Sequence, residues 1–217
     1  MTEELILLTA SFIAIVYSAG HLIRDKKVPF FTRLAMYGIG CLFMAQLYNI
    51  TQLVVTGYIP GSANIGMLGE VGAFAFFFSS VYSQMDSLID GGEKEYKVYR
   101  ITAFVIAAAI FALYIPILFA NVTKSRKLVY LILSVQFAAT AYYNVKQLLI
   151  PDVAFGILEA IRGYNFIVPC MAILFSLRHI FRSYNMPAAS LACSAALAIL
   201  TVLILPILKR GTEKWRT

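Results

Sequence analysis

The sequence predicts an all-α integral membrane protein with seven transmembrane helices, on the evidence of its composition and the spacing of its apolar residues. Of the 217 residues, 60% are hydrophobic and only 13% are charged, and the mean hydropathy is +0.79. A soluble domain carries about 25% charged residues. The apolar residues also form long runs, and a run of about 20 is enough to cross a bilayer. Because the longest polar stretch is only about ten residues, residues 1–217 are predicted to form a single seven-helix transmembrane domain.

Seven apolar runs define the predicted spans. Each span must be helical, because a bilayer holds no water to satisfy open backbone groups. Pro116 and Pro169 fall inside the fourth and sixth spans and are expected to kink them. The spans cover residues 5–23, 34–58, 67–89, 101–120, 128–150, 163–180 and 188–208.

The distribution of Lys and Arg predicts that the N-terminus is outside the cell and the C-terminus inside. In that orientation 13 of these residues lie on the cytoplasmic side and five on the other, as the positive-inside rule requires. The basic stretch at 124–127 is the exception. The net charge of +7 is therefore assigned to helix ends and lipid headgroups, and no nucleic-acid partner is predicted. The predicted location is the cell membrane, as a multi-pass protein.

Sequence motifs for chemistry are missing from the chain. Cys41, Cys170 and Cys193 lie in apolar runs without a C-x-x-C pair and are expected to be reduced. Two histidines are too few for a His-rich metal site, and no G-x-S-x-G, H-E-x-x-H or phosphate-loop motif occurs. The seventh span has no lysine in its body for a retinal Schiff base. The sequence therefore predicts no metal site, cofactor or catalytic residue. In a membrane enzyme Glu70 or Asp86 could act as a base, but no nucleophile is paired with either of them.

Two segments repeat a polar phrase inside apolar spans. Residues 47–55 read LYNITQLVV and residues 142–150 read YYNVKQLLI, and each phrase is followed by Ile-Pro and then by a glutamate. Spans 1–3 and 4–6 are therefore predicted to be two copies in opposite orientations, an inverted repeat with the seventh span added. The alternative is coincidence, because apolar helices share residues easily. The matched pairs are Tyr48 with Tyr143, Asn49 with Asn144, Gln52 with Gln147 and Leu53 with Leu148.

Polar side chains also form a stripe on each of these two spans, since residues three or four apart share a helix face. An amide has no partner in hydrocarbon, so the stripes should face other helices or a cavity. Two interpretations stay open: the amides join helices, at about 0.6–2 kcal/mol each, or they line a site for a small ligand. The stripes consist of Gln46, Asn49 and Gln52 in span 2 and of Gln136, Thr140, Asn144 and Gln147 in span 5.

The function predicted from these features is a small membrane transporter or channel-like carrier of a polar small molecule, with its site between spans 2, 3, 5 and 6. The alternative is a seven-helix sensor or receptor that binds a ligand and signals through a separate partner protein, and a third class is an assembly subunit. The partners implied are the lipid bilayer, a small-molecule ligand or substrate, and a second copy of the chain or a signalling partner at the cytoplasmic loops. The predicted ligand-binding residues are Tyr48, Asn49, Gln52, Tyr143, Asn144 and Gln147, with Glu70 supplying charge or proton coupling.

Overall fold

The computed structural model describes residues 1–24, 28–59, 63–90, 92–151 and 156–216, which are mostly helical. Seven helical segments in it are long and apolar enough to span a membrane, so the expectation of an all-helical chain with seven candidate spans is confirmed. The elements are α1 (Thr2–Arg24), α2 (Phe30–Thr56), α3 (Ile65–Ile89), a 3₁₀ turn (Lys94–Tyr96), α4 (Lys97–Ala112), α5 (Ile115–Phe119), α6 (Lys124–Leu149), α7 (Ile157–Ser183) and α8 (Pro187–Arg216).

The connection between α2 and α3 has well-defined stop and start signals. Gly57 has a left-handed φ of 77°, and its N–H donates to the Leu53 carbonyl at the end of α2, a conformation that glycine adopts without steric cost. Asn64 caps α3, because its side chain accepts the Met67 backbone N–H. These caps fix where the two helices end and therefore which of their residues enter the interior.

The fourth predicted span is broken where the sequence carries Pro116. Helix α4 ends at Ala112, and α5 begins at Ile115 with the proline in its first turn, where a missing N–H removes no helix hydrogen bond. The kink expected at Pro116 is therefore a break into two helices. By contrast, α7 runs through Pro169 and α8 through Pro206 as continuous helices.

Six helices form a closed ring, in the order α1, α2, α3, α6, α7, α8, and α8 packs against α1 to close it. Helix α4 packs against α6 beside the ring. Successive long helices alternate in direction. The start of α1 therefore lies at the same end of the bundle as the starts of α3, α6 and α8 and the end of α7. We call this the N-end and the opposite side the C-end.

Two helix pairs in the ring pack especially closely through glycines. On α3, a Cβ on Gly69 would lie 2.8 Å from the Ala45 Cβ of α2. On α8, a Cβ on Gly211 would overlap the Ala160 carbonyl oxygen of α7. Because the backbones approach this closely, α2–α3 and α7–α8 are two tightly packed hairpins.

The two hairpins meet across the interior in two ways. Helices α2 and α8 approach each other over a short stretch, whereas α3 and α7 meet through side chains. Phe74 of α3 packs edge-on against Phe175 of α7, with ring centroids 5.7 Å apart, and Phe77 packs against Tyr164 at 6.5 Å. Phe137 of α6 lies 4.1 Å from Phe74 and completes this aromatic layer. The layer occupies the middle of the bundle, and polar groups lie beyond it toward both ends.

Candidate functional site

Arg178, on α7 near the N-end, is fully buried and contacts three carboxylates. Its Nη2 lies 2.9 Å from Glu4 Oε1, its Nη1 lies 3.4 Å from Glu70 Oε1, and its Nε lies 3.9 Å from Glu3 Oε2. Glu3 and Glu4 are in the first turn of α1, and Glu70 is in the second turn of α3. One guanidinium therefore ties α7 to two helices that are distant in sequence.

Arg182, one turn after Arg178, extends this network to the rim of the bundle. It donates to one carboxylate oxygen of each glutamate in the first turn of α1, Glu3 Oε2 at 2.8 Å and Glu4 Oε1. Ser190 of α8 also donates to Glu3 Oε2, at 2.8 Å, and Asn49 of α2 lies close to Glu4. With the Arg178–Glu70 bond, four helices of the ring (α1, α3, α7 and α8) are joined at this end by charge-assisted hydrogen bonds, which are the stronger class.

His179 is the second α7 side chain that contacts Glu70. Its Nε2 lies 2.9 Å from Glu70 Oε2, and its ring lies among the rings of Tyr114, Tyr130 and Phe175, with the Tyr130 centroid nearest at 5.1 Å. Both His179 and Glu70 are buried. We call the whole group the N-end cluster; it consists of Glu3, Glu4, Glu70, Arg178, His179 and Arg182.

A second charged group lies at the C-end. Lys146, whose side chain is only 4% exposed, places Nζ 2.5 Å from Asp86 Oδ1 and 3.2 Å from Asp90 Oδ2. Arg100 of α4 lies 2.8 Å from Asp90 Oδ1, and the Tyr143 ring lies 4.9 Å from the Lys146 ammonium, within cation–π range. This C-end cluster comprises Asp86, Asp90, Arg100 and Lys146.

Asp90 is the anchor of the C-end cluster and lies just beyond α3. Burial acts to raise the pKa of its carboxyl, but hydrogen bonds from Arg100, the Gly92 N–H and Lys146 outweigh burial. The net result is a pKa below the ordinary value of 3.8. Asp90 is therefore ionised and holds its two cationic partners at neutral pH.

A set of neutral polar side chains lies between the aromatic layer and the C-end cluster. Gln147 donates through Nε2 to the Val81 carbonyl at 3.2 Å, and Asn165 donates through Nδ2 to Gln147 Oε1 at 3.4 Å. Asn144 donates through Nδ2 to the Thr140 carbonyl at 2.8 Å. Because a carbonyl can only accept, these bonds fix the orientation of all three amides.

With the amides in these orientations, two of their oxygen atoms have no hydrogen-bond donor. Among the described residues no hydrogen-bond partner contacts Asn144 Oδ1 or Asn165 Oδ1, although both side chains are buried. Nearby, the Tyr164 hydroxyl and Ser80 Oγ are 2.6 Å apart. Since buried acceptors normally have a partner, these carbonyl oxygens are suited to a ligand or water that donates. We call this set the polar core; its members are Ser80, Thr140, Asn144, Gln147, Tyr164 and Asn165.

The seven predicted ligand-binding residues fall into two groups rather than one. Glu70 lies in the N-end cluster, and Asn49 contacts that cluster through Glu4. Gln147 instead contacts Val81, which is 11 residues after Glu70 on α3 and therefore about 16 Å away along the helix.

The other predicted residues follow the same division. Tyr48 is half-buried near the N-end, and Gln52 donates to Thr56 in its own helix at 3.3 Å. Asn144 belongs to the polar core, whereas Tyr143 packs between Tyr82 and Lys146 at the C-end. The structure therefore does not bring the two repeated phrases together at one point.

Several buried charged residues were not among the predicted site residues. The sequence analysis assigned Lys146, Arg178 and Arg182 to the membrane surface because they lie close to the ends of spans, and Glu3 and Glu4 entered no site at all. One sequence signal was present: Arg178 and Arg182 are four residues apart and share a helix face with His179 beside them. Glu3 and Glu4, in the first turn of α1, carry the opposite charge to that basic face of α7. The full set is Glu3, Glu4, Lys146, Arg178, His179 and Arg182.

The outer surface of the bundle has grooves of a different character. A groove of about 600 Å³ lies between α1 and α8, and one of about 540 Å³ lies between α1, α2 and α3. Both have apolar linings, and neither is lined by a residue of the polar core. A third pocket, of about 280 Å³, is lined by Met1, Thr2, Glu3 and the start of α8, so it reaches the rim of the N-end cluster.

Comparison of the chain with protein-family models, with curated proteins and with solved structures finds no match. The described residues form an all-helical chain with seven candidate membrane spans, a polar core, and a cluster of ion pairs at each end.

Proposed function

We propose that the chain is a multi-pass cell-membrane protein, with its N-end outside, and a small carrier of a polar small molecule. The outward surfaces of the candidate spans support membrane insertion, because large apolar side chains such as Phe12, Phe104 and Ile199 are exposed there. Isolated exposed apolar residues are ordinary in soluble proteins, but whole exposed apolar faces favour a lipid environment. The Lys and Arg count supports the orientation.

The observation that carries the proposal is that the polar core extends inward from the C-end cluster to the aromatic layer, with the N-end cluster on the other side of that layer. A carrier needs a binding region in the middle of the membrane and two barriers that open in turn. The N-end cluster and the C-end cluster lie where these barriers belong. Ion pairs suit a reversible barrier, because water entering the open end replaces much of the attraction that is lost.

The packing of the hairpins supplies the moving parts. Helices α2–α3 and α7–α8 are tightly packed pairs. They meet through a short approach of α2 to α8, and α3 meets α7 through side chains: the aromatic layer, the Ser80–Tyr164 bond and the Glu70–Arg178 contact. Side-chain contacts can separate without breaking helices, so a small rotation of one hairpin against the other would open one end. We propose this rotation as the transport movement.

The predicted ligand-binding residues keep proposed roles along this path. Asn144 and Gln147 would contact the substrate in the polar core, with Asn165 added from α7. Glu70 and Asn49 would act in the N-end barrier, flanked by Tyr48 and Gln52 on α2, and Tyr143 would act in the C-end barrier. Matched residues at opposite ends are also what an inverted repeat requires, and this supports the proposed relation between α1–α3 and α4–α7.

The test is the accessibility of the polar core from each side of the membrane. Asn144→Cys, in a background with Cys41, Cys170 and Cys193 replaced by alanine, is treated with an impermeant thiol reagent in vesicles of either orientation. A carrier is expected to react from both faces. Ala141→Cys, one turn earlier on α6 and fully buried, is the matched control and should stay unreactive.

The other outcomes favour the other function classes. Reaction from one face alone would support the sensor or receptor, whose ligand enters and leaves on the same side. No reaction from either face would support an assembly subunit, in which the amides only join helices. The carrier also predicts that Lys146→Met, which weakens the C-end barrier and leaves only its Arg100–Asp90 pair, shifts the reaction of Asn144→Cys toward the C-end face.

A further inference from the structure

The charges of the N-end cluster do not balance unless His179 carries a proton. The cluster holds three carboxylates, on Glu3, Glu4 and Glu70, and two guanidiniums, on Arg178 and Arg182. One negative charge is left over while the imidazole is neutral. A buried net charge is costly because it has lost its hydration, so an additional proton makes this end of the bundle neutral.

The geometry assigns the unbalanced charge to Glu70. Glu4 contacts both arginines, and Glu3 has Arg182 and the Ser190 hydroxyl at 2.8 Å. Glu70 contacts Arg178 only at 3.4 Å, and its other oxygen faces His179 Nε2 at 2.9 Å. The imidazole is thus the group positioned to neutralise Glu70.

We infer that the His179–Glu70 pair is a proton-binding site, and that binding of a proton there closes the N-end of the carrier. This rests on the proposed function and names its coupling ion. With the proton bound, imidazolium and carboxylate neutralise each other and the N-end cluster is balanced. When the proton leaves, the uncompensated carboxylate favours hydration, and the α3–α7 contact that Glu70 provides opens.

The surroundings give the site both isolation and a route to water. Tyr114, Tyr130 and Phe175 enclose the imidazole on the side of the aromatic layer. On the other side Arg178 lies between Glu70 and Glu3, and Glu3 lines the pocket of about 280 Å³ that opens at the N-end. In this proposal the proton exchanges with the N-end solution along these side chains. The charged and titratable side chains around the pair are Glu3 and Glu4 on α1, Tyr114 before α5, Tyr130 on α6, Arg178 and Arg182 on α7, and Cys193 on α8.

Cys193 is a native reporter for opening at this end. It is a free, buried thiol on α8, close enough to Arg178 and Glu3 to sense both charges. The full-length protein with Cys41→Ala and Cys170→Ala is placed in nanodiscs and treated with a charged, impermeant thiol reagent. The rate at each pH is divided by the rate for the same protein unfolded in SDS, which removes the ionisation of the thiol itself.

The normalised rate is expected to be about tenfold higher at about pH 8 than at about pH 5, the interval in which histidine titrates. His179→Gln should abolish this difference, and Glu70→Gln should hold the rate at its low value at every pH. His21→Asn changes the other histidine of the chain and is the matched control. This variant should keep the tenfold difference in rate between about pH 8 and about pH 5. A pH dependence that survives His179→Gln, or a flat response in the parent protein, overturns the inference.

A second measurement does not depend on the cluster variants folding. In His21→Asn protein His179 is the only histidine, so a histidine-labelled NMR sample gives a single imidazole signal. That signal should shift between about pH 5 and pH 8, and a constant position over this range overturns the proton site. If Cys193 ignores pH while Asn144→Cys still reacts from both faces, the proton inference fails and the carrier stands. If Asn144→Cys is silent while Cys193 follows pH, the carrier fails and the proton site stands.

Discussion

The N-end and C-end clusters are both networks of ion pairs, but they differ in reach and in burial. The N-end cluster links side chains 108 and 174 residues apart, and Arg178 at its centre is 0% exposed. In the C-end cluster the separations are shorter: Lys146 contacts Asp86 and Asp90, which lie 60 and 56 residues earlier, and Arg100 contacts Asp90 across ten residues. Lys146 and Asp90 are buried, but the side chains of Arg100 and Asp86 are 28% and 19% exposed. The N-end is therefore held by more distant contacts around a fully dehydrated arginine, and the C-end by nearer contacts with two partly hydrated partners.

This difference sets the expected cost of opening each end. Breaking a buried pair by removing one partner costs about 3–5 kcal/mol, because the remaining charge is uncompensated. A partly exposed charge that loses its partner can instead be hydrated, so the free-energy cost of breaking its ion pair is smaller. The N-end should consequently need a specific trigger such as a proton, whereas the C-end should open more readily by itself.

The largest effect is expected from Arg178→Met, which leaves Glu4 and Glu70 without their shared partner. Destabilisation of about 3–5 kcal/mol should remove most of the folded protein, measured as the monodisperse yield in detergent and as melting temperature. Arg210→Met, at an exposed arginine near the end of α8, is the control and should melt like the parent. Equal yields for the two variants would contradict the account of the N-end.

Lys146→Met should cost less, about 1.5–3 kcal/mol, the range for hydrogen bonds to charged groups. Asp90 keeps Arg100, and Asp86 is exposed enough to be hydrated. The melting temperature should therefore fall by clearly less than for Arg178→Met. Equal losses for the two variants would remove the distinction between the ends.

The number of spans was predictable because it depends on apolar runs alone. The break of span 4 was also signalled, since Pro116 restricts the backbone wherever it falls. The inward stripe of α6 was readable as well: Thr140, Asn144 and Gln147 are all buried, because helical periodicity decides which residues share a face.

The pairing of charges could not be predicted in the same way. A hydropathy run ends where charges begin, so Arg178, near the end of the predicted sixth span, and Arg182, just beyond it, were both assigned to the membrane surface. Their partners on α1 lie 174–179 residues away, and periodicity says nothing about contacts at that separation. The predicted inverted repeat had a further consequence: in two oppositely oriented copies, an off-centre phrase would lie at opposite ends of the bundle and not in one cavity.

A smaller effect is expected in the polar core, which both ends enclose. Asn144 bonds to a carbonyl of its own helix, so Asn144→Leu strands no other side chain and should change stability by about 1 kcal/mol or less. Gln147→Leu should cost more, because Asn165 loses its acceptor. Melting temperatures of the two variants test this order. If Asn144→Leu is the more damaging, the amide joins helices and its proposed substrate contact is wrong.

The smallest effect concerns acid stability at the C-end. The pKa of Asp90 is lowered in the folded protein, since hydrogen bonds from Arg100, Gly92 and Lys146 outweigh the opposing effect of burial. Its contribution to stability is therefore fully present above its unfolded pKa, near 3.8, and is lost as the pH falls through its lower folded value. The melting-temperature difference between the parent and Asp90→Asn should be constant from neutral pH down to about pH 5 and should shrink below about pH 4. Glu213→Gln, at the exposed pair with Lys209, serves as the control and should alter the melting temperature little at any pH. His179 of the N-end is expected to act between about pH 5 and pH 8. If the melting-temperature difference between the parent and Asp90→Asn changes in that interval, or grows in acid, the two clusters do not respond to pH separately.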